Sequence, residues 1–199
     1  MKLGNYRLIF IAVGLIGVLL IASPAIAGAI HAPGGAAFSE LDLLGPEQMA
    51  QNYPSNIAVG QNYSVYVNVG NHLGSSGYYV LYVKLANETD QLPNSTIATP
   101  SPLQPLYEYR LSIKDNTVWQ QILSFKVTDA TISPTTATIN TLQVNDQTLN
   151  PNKTTAWDTN SSTYTYRLFI ELWLYNQPTG TVEFNNRYVS LFLNLTRTP

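Results

Sequence analysis

The sequence predicts an all-β fold, an Ig-like antiparallel sandwich of about eight or nine strands, preceded by a hydrophobic signal or anchor helix. Three observations carry that expectation. Apolar and polar residues alternate with a two-residue period in several runs, Gly, Pro, Asn and Asp clusters separate those runs, and helical periodicity is nearly absent after residue 30.

The clearest alternation lies between Val59 and Leu85. Tyr63, Val65, Val67 and Val69 oppose Asn62, Ser64, Tyr66 and Asn68; after a Gly- and Ser-rich turn, Tyr79, Leu81, Val83 and Leu85 oppose Tyr78, Tyr82 and Lys84. These two strands read as a pair whose apolar face needs a second sheet to cover it. Before them, Phe38 to Leu44 reads as a first strand ended by Gly45-Pro46, and Glu47 to Asn52 as a turn of helix. After them, Pro93, Pro100, Pro102 and Pro105 rule out a strand from Asn87 to Pro105, because each proline lacks a ladder donor. Tyr107, Tyr109, Leu111 and Ile113 alternate again, Asp115-Asn116 turns the chain, and Trp119 to Thr128 forms the next strand. A small hairpin is expected around Asn145-Asp146, and a polar loop from Asn150 to Ser162. Tyr164 to Tyr175 is apolar on both faces, the mark of a central strand, and the last strand carries Val189, Leu191, Leu193 and Leu195.

Composition narrows location and chemistry. Charged residues make up only 11% of the 199 residues, so the surface is built from Asn, Thr, Ser, Gln and Tyr, which suits an acidic exterior where carboxylates titrate. With a net charge of −2 and no basic run, nucleic acid is not an expected partner. The absence of cysteine removes disulfides, thiolate nucleophiles and thiolate metal sites. Lys2 and Arg7 precede an uncharged apolar run from Leu8 to Ala22, followed by Ser23-Pro24-Ala25-Ile26-Ala27, the pattern of a secretory signal cleaved after Ala27. The same run would span a bilayer as a retained anchor, or form a filament core after pilin-like clipping near Gly4. Every version places the rest outside the cell. The expected organisation is a signal or anchor at residues 1–27, a flexible stalk at 28–37 and the sandwich at 38–199.

Catalytic chemistry finds little foothold. Only His31 and His72 are present, His72 alone in a turn, and neither a phosphate loop nor a Gly-x-Ser-x-Gly elbow occurs, so no catalytic, cofactor or metal residue is assigned. Glu108, Glu171 and Glu183 are the acids a glycosidase pair would draw on. Glu171 interrupts an apolar strand, and its structural reading is an ion pair with Arg167 or Arg187. Trp157, in the expected loop between two sequons, is the aromatic to test for sugar contact. Asn-x-Ser/Thr occurs at Asn62, Asn87, Asn94, Asn152, Asn160 and Asn194, each on a polar face or in an expected loop, making these the candidate glycosylation sites.

The stretches Phe38-Ser-Glu-Leu-Asp-Leu-Leu-Gly-Pro46, Asn52-Tyr-Pro-Ser-Asn56, Val67-Asn-Val-Gly-Asn-His72, Pro105-Leu-Tyr-Glu-Tyr-Arg110 and Phe169-Ile-Glu-Leu-Trp-Leu-Tyr175 resemble the archaeal family known as domain of unknown function 1616, over most of Phe38 to Thr196. Members often carry several membrane helices before this region; this chain resembles their exported half. The resemblance implies an archaeal source and carries no catalytic residues. The run from Val59 to Asn71 is similar to Ig-like modules of cell-surface proteins. The expected function is a non-catalytic cell-envelope protein, structural or adhesive, at the cell surface. Its partners would be copies of itself, other envelope proteins or glycans, and the membrane if the first helix is kept. Phe38, Leu41 and Leu43 would mediate self-assembly if their strand completed a neighbour's sheet. The alternative is a carbohydrate-binding or glycan-processing surface protein.

Overall fold

The structure, a computed structural model, describes residues 37–196. The expected signal, most of the stalk and His31 lie outside the described residues. Within them the fold is all-β, with eleven strands. In chain order these are β1 (Phe38–Leu44), β2 (Asn56–Ile57), β3 (Tyr63–His72), β4 (Gly77–Ala86), β5 (Tyr107–Ile113), β6 (Thr117–Ile132), β7 (Thr136–Val144), β8 (Gln147–Leu149), β9 (Lys153–Asp158), β10 (Thr163–Asn176) and β11 (Thr181–Leu195).

They form one sheet curled into two layers. One layer runs β1-β3-β6-β7, with β8 and β9 side by side along the far edge of β7. The other runs β5-β4-β10-β11-β2. Strand β9 joins them, pairing with β7 through Lys153 to Ala156 and with β10 through Trp157 and Asp158. All pairings are antiparallel except the short β2–β11 contact, which is parallel. Val65, Val67, Val69, Leu123, Phe125 and Val127 from the first layer meet Tyr79, Leu81, Val83, Leu168, Ile170 and Leu172 from the second in a single core, each at most 1% exposed. Burying each of the aliphatic side chains contributes roughly 1.5–3 kcal/mol.

Several expectations are corrected. β3 and β4 do not pair: the turn between them carries the chain from one layer to the other, so each alternating strand lines the core from its own side. Asn71 fixes this arch. Its buried amide donates to the carbonyls of Ser75 and Ile113 at 2.8 Å each, while its oxygen accepts from Leu73 N and Tyr79 Oη. Asn150 to Ser162 is not all loop, since Lys153–Asp158 is β9, the strand that closes the curl. Glu47 to Asn52 forms turns with no helix. The two-residue β2 is not among the expected strands; the other strands, the Asn145-Asp146 hairpin, the Pro-rich connection and the central position of β10 are as the sequence predicts.

Phe38–Leu44 folds as a plain first strand, in seven-residue register with β3. Leu43 enters the core, Leu41 packs against it, and Phe38 stacks on His72 with ring centroids 4.7 Å apart.

Candidate functional site

Two regions concentrate the residues that could carry chemistry. The first lies on the outer face of the second layer. There Lys84 of β4 and Glu171 of β10 point away from the core, as alternation requires, yet both are buried, with Glu171 fully enclosed. The cover is the Pro-rich connection between β4 and β5. Lys84 Nζ donates to Glu171 Oε2 at 2.9 Å and to the Ser101 carbonyl at 2.8 Å; Ser101 N donates to Glu171 Oε1 at 2.7 Å, and Trp173 Nε1 to Oε2 at 3.0 Å. Every charge is met by an opposite charge or an oriented dipole, which is the condition for keeping an ion pair out of water. Earlier in the connection, Lys153 Nζ meets Asp90 Oδ2 at 2.7 Å and Asn87 Nδ2 donates to the Thr154 carbonyl, tying its start to β9.

Glu171 therefore pairs with Lys84, not with Arg167 or Arg187. Arg167 instead lies over the Phe192 ring at 4.1 Å. Nothing in the local sequence links residues 84 and 171; only the β4–β10 register brings them together. The other acids are dispersed. Glu108 pairs with Arg110 on the exposed face of β5, and Glu183 accepts from Thr179 and Asn176 near the turn into β11, bonds that hold its carboxyl below the usual range. His72 also serves the fold, its Nε2 3.5 Å from Glu40 and its Nδ1 3.4 Å from Asn116 Oδ1.

The second region is a groove between β5 and the first half of β6, a hollow of about 380 Å³. Tyr107 and Tyr109 from β5 and Trp119 from β6 meet edge to face, with centroids 4.9 and 5.4 Å apart. All three are half-buried, because among the described residues β5 ends its layer and residues 117–124 of β6 have β3 as their sole partner strand. Asn145 Nδ2 donates to Tyr109 Oη at 2.9 Å, and burial pushes the Tyr109 hydroxyl up to about 12. Gln121 and Asp146 are exposed at the rim. The alternation placed these aromatics on core faces; their half-exposure follows from their place at the edge of the layers. Trp157, the aromatic singled out from sequence, is instead part of β9, half-buried and edge-on to Tyr164 at 4.8 Å.

Of the sequons, Asn62, Asn94, Asn152 and Asn160 are exposed. Asn87 and Asn194 are half-buried, their amides engaged with Thr154 and Asn56. Asn62, Asn87, Asn160 and Asn194 gather at one end of the layers, where β3 and β10 begin and β4 and β11 end, whereas Phe38 starts at the other end, opposite His72.

No curated protein matches the sequence. Among solved structures, it is similar to a beta-glucosidase from Listeria innocua in complex with laminaribiose, at TM-score 0.43 and 9% identity, covering 81% of this chain and 16% of that one. This chain thus spans about a sixth of that enzyme's length. A chain from the complex of Zinc 2-glycoprotein and Prolactin inducible protein from human seminal plasma matches at TM-score 0.39 and 8% identity, covering 82% and 99% of the two chains. The CARDB domain of a Pyrococcus furiosus protein in complex with di-metal ions matches at 0.36 and 12%, covering 82% and 95%. At these scores none bears on activity. The family model described as Domain of unknown function (DUF1616) matches residues 32–156, ending inside β9 and short of the Phe169 to Tyr175 stretch, and the chain belongs to that family.

Proposed function

We propose that the protein is a non-catalytic component of an archaeal cell envelope, an exported structural or adhesive module displayed at the cell surface. The observation that carries this reading is the fate of Glu171. The acid that interrupts the central strand is enclosed and spent on clamping a surface connection, while Glu108 and Glu183 are engaged elsewhere. The low charge of the chain and the exposed sequons support an external location. Glycans at Asn62, Asn94, Asn152 and Asn160 would shield a surface that has few charges to keep it apart from its neighbours.

Self-assembly would run through the outer edge of β1. Among the described residues that strand pairs only with β3, and a hollow of about 290 Å³ lined by Leu41, Leu43, Tyr53, Val189 and Leu191 opens between it and β11. The test is intact mass and N-terminal sequencing of protein recovered from native envelope, with size analysis under non-denaturing conditions. A start at Gly28, sugar-sized mass increments and large assemblies fit a secreted coat or filament component. A start at Met1 with detergent-dependent monomers fits an anchored surface module. Recovery from the cytosol, without sugar, contradicts the reading.

A further inference from the structure

We propose that the groove between β5 and β6 is a binding site for a neutral saccharide chain, with Tyr107, Tyr109 and Trp119 as its apolar wall and Gln121, Asn145 and Asp146 as its polar rim. The inference goes beyond the envelope reading and stands whether or not the protein assembles. A sugar ring presents a face of C–H groups and a perimeter of hydroxyls, so it is recognised by aromatic surface beside uncharged donors and acceptors. The groove offers both: three half-buried rings, Tyr109 meeting each of the other two edge to face, with amide side chains beside them. Its lining contains one carboxylate and no cation, which disfavours phosphates, nucleic acid and acidic polymers.

The alternative occupant of an open edge is a β-strand, and here the edge of β6 is already engaged at Ser124 and Ile122, the edge residues that line the groove. Asn145 N donates to the Ser124 carbonyl at 2.8 Å, Ser124 N donates to Asn145 Oδ1 at 3.0 Å, and Tyr109 Oη reaches the Ile122 carbonyl at 3.5 Å. Asn145, held at φ 50°, thus takes both backbone groups of Ser124, where an incoming strand would have to begin its ladder beside β7. The groove is left to a ligand recognised by side chains. Burial pushes the Tyr109 hydroxyl up to about 12, so this ring presents an uncharged hydroxyl through the acid and neutral range.

The test is titration of the purified full chain with maltotetraose, cellotetraose and mannotetraose, read by calorimetry and by Trp fluorescence. At least one should bind. Tyr107→Ala should weaken that binding at least tenfold, and Gln121→Ala several-fold. Gln121 is exposed, so its variant keeps the test informative if Tyr107→Ala lowers stability. Absence of binding by all three at about 10 mM overturns the proposal, as does binding that both variants leave unchanged.

Discussion

The outer face of the second layer and the β5–β6 groove differ in a way that reverses the usual reading of alternation. Lys84 and Glu171 occupy wet-face positions and are buried; Tyr109 and Trp119 occupy core-face positions and are half-open. The difference comes from what lies beyond each strand. A long connection crosses the first region and supplies backbone dipoles from Ser101, whereas the second lies where β5 ends one layer and, in the other, β7 does not reach the first half of β6. Inward or outward orientation is a property of a strand, but burial is a property of its neighbours.

The largest effect should come from breaking the clamp on one side. Glu171→Ala leaves the Lys84 ammonium buried beside the Ser101 carbonyl alone and should cost about 3–5 kcal/mol in denaturant unfolding. Combining it with Lys84→Met should recover a large part of that loss, because the stranded charge goes too. Asn71→Ala comes next. It orphans buried groups on both sides of the arch and should cost about 3 kcal/mol, at about 1–3 kcal/mol for a buried group left unpaired.

Alkaline pH separates the two regions more gently. Tyr109 has a folded value of about 12 against an ordinary 10.0, so its contribution is intact below pH 10 and is lost as pH rises from 10 towards 12, where the unfolded chain ionises first. Tyr109→Phe should flatten that part of a stability-versus-pH curve. The smallest effect belongs to Asp158, at the turn into β10. Bonds from Ser161 Oγ and Asn160 N hold its carboxyl below 3.8, so its contribution is full above that pH and lost as pH falls further; Asp158→Asn should remove this acid-side dependence.

Much of the fold was legible because the strands are regular. β3, β4, β5, β10 and the β7–β8 hairpin follow from alternation and turn residues. Pairing was less accessible: the Gly- and Ser-rich turn after His72 looks like a hairpin, and only the buried bonds of Asn71 make it an arch. β9 escaped notice because Lys153-Thr-Thr-Ala-Trp-Asp158 has few apolar residues and takes much of its order from two partner strands. The clamp was half-visible, since Glu171 stood out in an apolar strand, but its cation lies 87 positions away. The groove was not visible at all. Tyr107, Tyr109 and Trp119 have core spacing, and edge position is set by topology.

Hydroxyl-radical footprinting of the folded protein, read residue by residue, tests the contrast most directly. Phe169, on the same outer face as Glu171 and fully buried, should be protected to the level of core Phe125, while Tyr107 and Trp119 oxidise readily and become protected when a bound tetrasaccharide is added. Phe169 oxidised as fast as Trp119 would mean that the Pro-rich connection does not seal the outer face, and the contrast drawn between the two regions would be wrong.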